Sequence, residues 1–118
     1  MDMQIEELDG GVTNVVLRGR LDTVGAGVID LKFNAVAGSK RAIIVDMSGV
    51  DFLASLGIRV LVIGAKAVRN KGGKLVILSP DENVHSVLQT AGIEQLIPVL
   101  FDRSAAIAAV KRVIHDKV

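Results

Sequence analysis

The sequence predicts a single α/β domain over residues 1–118, with a mixed sheet of four to five strands flanked by about four helices. Three observations point to this class. Ala42–Val45 and Leu75–Leu78 are short apolar runs with branched side chains, the character of buried strands, and Val12–Leu17 reads as a further strand. Between them lie stretches whose apolar residues recur at spacings of three and four, as on helices packed along one side. The two kinds of segment alternate after an opening hairpin, so the helices act as crossovers between parallel strands.

Taken in order, Ile5–Leu8 reads as a first strand and Val12–Leu17 as a second. The short Asp9-Gly10-Gly11 link makes them an antiparallel hairpin. A helix follows from about Val24 to Ala37, with Asp22 or Thr23 available to cap it. Gly25 and Gly27 weaken its start, by about 1 kcal/mol each relative to Ala. Ala42–Val45 is a buried strand ending at Asp46, and Met47–Ala54 reads as a turn region holding Ser48, Gly49 and Asp51. From Leu56 to about Asn70 a helix places Ile58, Leu61, Val62, Ala65 and Val68 on one face, and Gly72-Gly73 suits its C-cap. After the strand Leu75–Leu78, Ser79-Pro80-Asp81-Glu82 has the form of a helix start with Ser79 as N-cap, and that helix runs to about Thr90. Pro98–Phe101 is a last, edge strand, because proline cannot donate to a ladder. Asp102 or Ser104 then opens a final helix with Ile107, Val110 and Ile114 on one face.

Composition narrows the function. Half of the residues are apolar, enough for a packed core, and the net charge is +1, too small a field to recruit nucleic acid or an anionic membrane. Phe33, Phe52 and Phe101 are the only aromatics, so platforms for stacking bases are lacking. Lys66, Arg69, Lys71 and Lys74 read first as a solvated helix end complementing the dipole, and second as a phosphate site. Absence of cysteine excludes disulfides and thiolate chemistry. With no apolar run of membrane-spanning length and no leader-like N-terminus, a cytoplasmic location is expected.

Catalytic patterns are poorly represented, and no enzyme activity, cofactor or metal is expected. Leu53-Ala54-Ser55-Leu56-Gly57 sets a serine between strand and helix, but Leu53 stands where a nucleophile elbow needs its first glycine. His85 and His115 are the only candidate bases and too few for a metal set. No phosphate-binding glycine–lysine loop is present, and Gly25-Ala26-Gly27 lacks the third glycine of a dinucleotide fingerprint.

Ser55 carries the functional reading. As a helix N-cap it would contribute about 1 kcal/mol and nothing more. The same place offers free N–H groups and partial positive charge, which suit a phosphate. Leu56, Val60, Ile63 and Ala67, with Gly64 beside them, lie on the helix face opposite the core stripe. A helix apolar on two faces either packs a neighbouring helix or binds a partner. If it binds a partner, phosphorylated Ser55 would set a double negative charge at the rim of an apolar contact. Burying such a charge unpaired costs about 2–5 kcal/mol, or roughly 30- to several-thousand-fold in affinity.

In its motifs the chain resembles the STAS domains, and within them the bacterial anti-sigma-factor antagonists. Gly19-Arg20-Leu21-Asp22 matches the family's Gly-x-Leu-Asp, and Val45–Val50 matches its Val-Asp-(Leu/Met)-Ser-x-Val. Phe52–Leu61 matches its aromatic-aliphatic-x-Ser-(Ser/Ala)-Gly-Leu-x-x-Leu, and Gly72-Gly73 and Ala91-Gly92-Ile93 fall at comparable turns. The resemblance covers nearly the whole chain. It implies a protein that binds, while unphosphorylated, an anti-sigma factor with a serine-kinase fold, to which the ATP belongs. It places the phosphoacceptor at Ser55 and a loop acid at Asp22, makes Asp46 structural, and implies a PP2C-type phosphatase for the return step. Leu56 departs from the pattern where Ser or Ala is usual, and Ala54 where Asp or Ser is frequent.

The partner-binding set expected on these grounds is Asp22, Ser55, Leu56, Gly57, Arg59, Val60, Ile63 and Ala67. The alternative is a non-catalytic STAS subunit docked permanently to a transporter or sensory assembly, with Ser55 only a helix cap. Self-association as a homodimer through the same apolar face is compatible with either.

Overall fold

The computed structural model describes the chain from Met1 to Asp116, and its side chains as far as Arg112. In chain order the elements are β1 (Asp2–Leu8), β2 (Val12–Leu21), α1 (Thr23–Ser39), β3 (Ala42–Leu53), α2 (Ser55–Asn70), β4 (Lys74–Leu78), α3 (Glu82–Thr90), a 3-10 turn (Ile93–Gln95), β5 (Val99–Leu100) and α4 (Arg103–Asp116). The described residues form one five-stranded sheet in the order β1-β2-β3-β4-β5. β1 is antiparallel to β2, and the other pairs are parallel. The expected mixed sheet and its helices are thus the observed architecture, with β5 at an edge.

The alternation of side chains along the strands builds two cores. Ile43 and Val45 of β3 and Leu75 and Ile77 of β4 face the larger one, with Ile29 and Phe33 of α1, Leu61 and Val68 of α2, and Val84 and Leu88 of α3. Ala42, Ile44, Val76 and Leu78 point the other way, onto Ala106 and Val110 of α4. A strand buried on both faces carries no polar alternation, which is why β3 and β4 read as continuous apolar runs.

Several boundaries differ from expectation. β3 continues through Leu53, so residues 47–53 are strand and only Ala54 is a junction. Its pairing with β2 shifts register twice, between Val16 and Arg18 and between Gly19 and Arg20. Each shift accommodates an extra residue of β3, as in a bulge, and breaks the period-two pattern that would have marked a strand. Asp46 therefore does not end its strand: its Oδ1 accepts from the Ser48 N–H at 3.0 Å and the Ser48 hydroxyl at 2.8 Å, holding the irregularity. β1 and β2 are also longer than read, starting at Asp2 and ending at Leu21.

The caps are corrected in the same way. Asp22 caps α1 and Asp102 caps α4, with its Oδ2 accepting from the Ala105 N–H at 3.0 Å. α3 is capped by Asp81 and not by Ser79, the Val84 N–H donating to Asp81 Oδ1 at 2.8 Å. Ser79 instead takes a left-handed backbone (φ 54°) and donates its N–H to Leu100 O at 2.8 Å, tying β4 to the end of β5. The side chains of Ile114 and His115 lie outside those described.

Candidate protein-interaction site

The site is built where β2 and β3 end together. Leu21 pairs with Leu53 in the last register position, and the Ala54 N–H donates to Leu21 O at 3.0 Å. The chain leaving β2 into α1 and the chain leaving β3 into α2 therefore emerge side by side, which brings Asp22 and Ser55 to one end of the sheet.

Asp22 is committed to the start of α1. Its Oδ1 accepts from the Gly25 N–H at 2.8 Å, and its Oδ2 lies 3.4 Å from Arg20 Nε. The Gly25 hydrogen bond, followed by the Arg20 guanidinium, holds the carboxyl below its usual value of 3.8. Arg20 in turn lies over the ring of Phe52, 4.3 Å from its centroid. One cation thus links β2, the last turn of β3 and the cap of α1.

Ser55 is the first residue of α2, and it is exposed. The helix-cap reading is not met: Ala54 occupies the N-cap position and no side chain caps α2. Its first turn carries no acidic residue, so nothing offsets the partial positive charge of the N-terminus beside Ser55.

Beyond Ser55 the predicted apolar face divides. Leu56 and Ile63 are 43% and 46% exposed, and Arg59 is exposed between them. They form one wall of a groove of about 380 Å³, whose other wall is Thr23, Gly27, Asp30 and Asn34 of α1. Val60 and Gly57, assigned in sequence to the binding face, are buried. A Cβ at Gly57 would lie 2.7 Å from Leu21 O, so glycine is what lets α2 sit on the end of β2. Val60 closes the floor between α1 and α2. Ala67 is half-buried against the main core. Helix packing thus accounts for these three positions, while Leu56, Arg59 and Ile63 remain presentable together with Asp22 and Ser55.

Sequence reasoning missed two groups. Phe52, 41% exposed, borders a second hollow of about 340 Å³ shared with Asn83, Val84, Ser86 and Val87 on the side of α3. Its place two residues before Ala54, at the end of the strand that leads to Ser55, was the available signal. The outward face of α1, with Val24, Val28 and Leu31 exposed, also escaped notice. That helix carries apolar residues on both its core side and its outward side, so no single stripe stood out.

The features weighed for chemistry do not converge on Ser55. His85 Nε2 lies 2.5 Å from Glu94 Oε1, and its ring meets Phe101 edge-on at 5.0 Å. Among the described residues no cluster of three or more His, Cys, Asp or Glu could hold a metal ion. Nor, among the described residues, is any helix long and apolar enough to cross a membrane. Of the basic cluster, Lys71 donates its ammonium to Ala37 O at the end of α1, a structural use that satisfies a helix-terminal carbonyl.

Residues 3–107 match the family model described as STAS domain. A Bordetella bronchiseptica protein described as a candidate anti-sigma factor antagonist, BtrV, is 29% identical over 112 residues, covering 94% of this chain and 96% of its own length. The crystal structure of an anti-sigma factor antagonist from Mycobacterium paratuberculosis superposes with a TM-score of 0.83 at 25% identity, covering 93% of both chains. The phosphorylated form of the Bacillus cell fate determinant SpoIIAA shares the fold, with a TM-score of 0.70 at 21% identity over 92% of this chain and 99% of that one.

Proposed function

As this chain belongs to the STAS domain family, we propose that it is an anti-sigma-factor antagonist that binds an anti-sigma factor through the surface around Ser55 and is released by phosphorylation there. The carrying observation is the position of Ser55. It is exposed at the uncapped N-terminus of α2, between Asp22 and the exposed Leu56–Arg59–Ile63 ridge. Its hydroxyl is not consumed in holding the helix, so modification does not cost the fold a cap. The near-full-length relatives named as antagonists support the reading.

In this scheme the partner has a serine-kinase fold and holds the ATP, and the antagonist supplies no catalytic group. Leu56 and Ile63 give apolar contact, Arg59 gives orientation, and Asp22 sets the adjoining α1 terminus. Transfer of a phosphoryl group to Ser55 adds about −1.5 to −2 charges at the rim of that contact. The helix N-terminus tolerates the charge within the free protein, while a closed apolar interface does not. A PP2C-type phosphatase restores the binding form.

The test is titration calorimetry of the purified cognate anti-sigma factor against wild type, Ser55→Ala and Ser55→Asp, with ATP present. Binding kept by Ser55→Ala and weakened at least 30-fold by Ser55→Asp supports the proposal. Equal binding by all three contradicts it.

A further inference from the structure

From Ser55 to Asn70, α2 carries the cations Arg59, Lys66 and Arg69 and no acidic residue. Arg59 is exposed on the wall of the α1–α2 groove, and among the described residues it takes part in no ion pair. Ser55 stands four residues before it, at the first position of the helix. Positions i and i+4 lie one above the other on a helix, with Cβ atoms about 5–6 Å apart. Long helical side chains lean back over the preceding turn, so a group carried on Ser55 is within reach of the Arg59 guanidinium. An anion placed N-terminal to its cation is also the favourable order for such a pair.

We infer that Arg59 receives the phosphoryl group of Ser55, turning out of the groove to hold it along α2; this rests on Ser55 being the phosphoacceptor proposed above. A phosphate brings up to two negative charges and three acceptor oxygens, which match the planar fork of donors on a guanidinium. The other positions three or four residues from Arg59 are Leu56, Val62 and Ile63, all apolar. Phosphorylated Ser55 is therefore the one anion that the helix can offer Arg59 along its own face.

The other charges nearby are engaged elsewhere or repel. Arg20 lies over the Phe52 ring and beside the Asp22 carboxylate. Asp22 and Asp51 carry the sign of the phosphate. Asp30 lines the opposite wall of the groove, and its Oδ1 accepts from Asn34 Nδ2 at 3.1 Å. Phosphorylation then alters the partner surface twice. It adds charge beside Leu56, and it removes the cation that stands between Leu56 and Ile63 in the unmodified chain. A partner returning to the phosphorylated surface must break the new pair as well as cover the charge.

The test uses the chain alone, expressed with phosphoserine at position 55, so neither kinase nor anti-sigma factor is needed. Phosphorus NMR follows the second ionisation of the phosphate, which lies near pH 6 when unperturbed. A partner cation favours the dianion and lowers that value. Wild type should titrate at a pH about 0.3–0.7 lower than Arg59→Gln, with Arg59→Lys between them. The helix N-terminus and Asp22 act equally on all three, so the difference belongs to residue 59. The Nε–H signal of Arg59 should shift and exchange more slowly once Ser55 is phosphorylated. At about pH 8, where the dianion is complete, phosphorylated wild type should melt about 2–4 °C above phosphorylated Arg59→Gln. The unmodified pair should melt together, since the side chain is exposed and unpaired. Equal phosphate titration in wild type and Arg59→Gln would overturn the inference, and so would a difference produced by Arg20→Gln in its place. Undiminished binding of the anti-sigma factor by the phosphorylated chain would instead sink the switch proposed above, and would leave the phosphate titration unmoved.

Discussion

Arg20 and Phe52 are stacked: the guanidinium carbon lies 4.3 Å from the ring centroid, and the same guanidinium reaches Asp22 Oδ2 at 3.4 Å. The residues come from neighbouring strands whose registers slip just before them. The slip in β3 turns Phe52 outward beneath Arg20, and the pairing of Leu21 with Leu53 then sends both chains into their helices. The relation between the α1 cap and Ser55 thus rests on a bulged strand end braced by one cation.

Removing that brace should loosen the end without unfolding the domain. Arg20→Ala is expected to lose about 0.5–1 kcal/mol, the worth of an exposed cation–π contact. A thermal melt would show a decrease of a few degrees, with amide shifts confined to residues near 20–25 and 50–57. Shifts spread across β4 and α4 would mean that Arg20 has a global role.

The Asp22 cap should leave a signature in acid. Its carboxyl titrates below 3.8 in the folded chain, first because of the Gly25 N–H and then because of Arg20. A folded value below the unfolded one means that the carboxylate's contribution is fully present above the unfolded value and is lost as pH falls through the folded one. Wild type should therefore be more stable than Asp22→Asn at neutral pH, and the gap should close below about pH 3.8. A gap that persists unchanged to pH 2 would show that the charge is not what Asp22 contributes.

Leu56 should separate binding from stability. It is exposed and its neighbour Gly57 does the packing, so Leu56→Ala should change stability by no more than about 0.5 kcal/mol. As an anchor of the partner contact, it should lower affinity about tenfold or more, since a hot spot is worth more than about 1 kcal/mol. Urea titration and calorimetry on the same preparation test both.

Gly64 should show the opposite profile. Any Cβ placed there runs into the ring of Phe33, which fills the seam between α1 and α2. Gly64→Ala is expected to destabilise by about 1–3 kcal/mol through overpacking, and adding Phe33→Leu should recover part of that loss. Full tolerance of the single variant would mean that the α1–α2 seam can open, contrary to the reading of Val60 as floor.

Much of this was legible in the chain. The apolar runs at Ala42–Val45 and Leu75–Leu78 marked strands buried on both sides, and the spacing of Leu61, Ala65 and Val68 marked the core face of α2. Ser55 was placed at the head of that helix from the same pattern. The remainder depended on tertiary relations that periodicity does not carry. Two register shifts concealed the second half of β3, because Ser48, Gly49 and Asp51 look like turn residues whether or not a neighbouring strand is paired to them. Gly57 and Val60 were assigned to the binding face because a helical wheel cannot show that the end of β2 lies against the first and the α1–α2 seam encloses the second. Ser79 resembles an N-cap in sequence, but Asp81, two residues nearer the helix, holds that role.

The most direct test is the affinity of the cognate anti-sigma factor for the chain phosphorylated at Ser55, compared with the unmodified chain at equal ATP and with circular dichroism on both. The account predicts superimposable spectra and a loss of at least 30-fold in affinity. Undiminished binding by the phosphorylated chain would contradict it, and would leave Ser55 as an exposed residue at a helix start with no switching role.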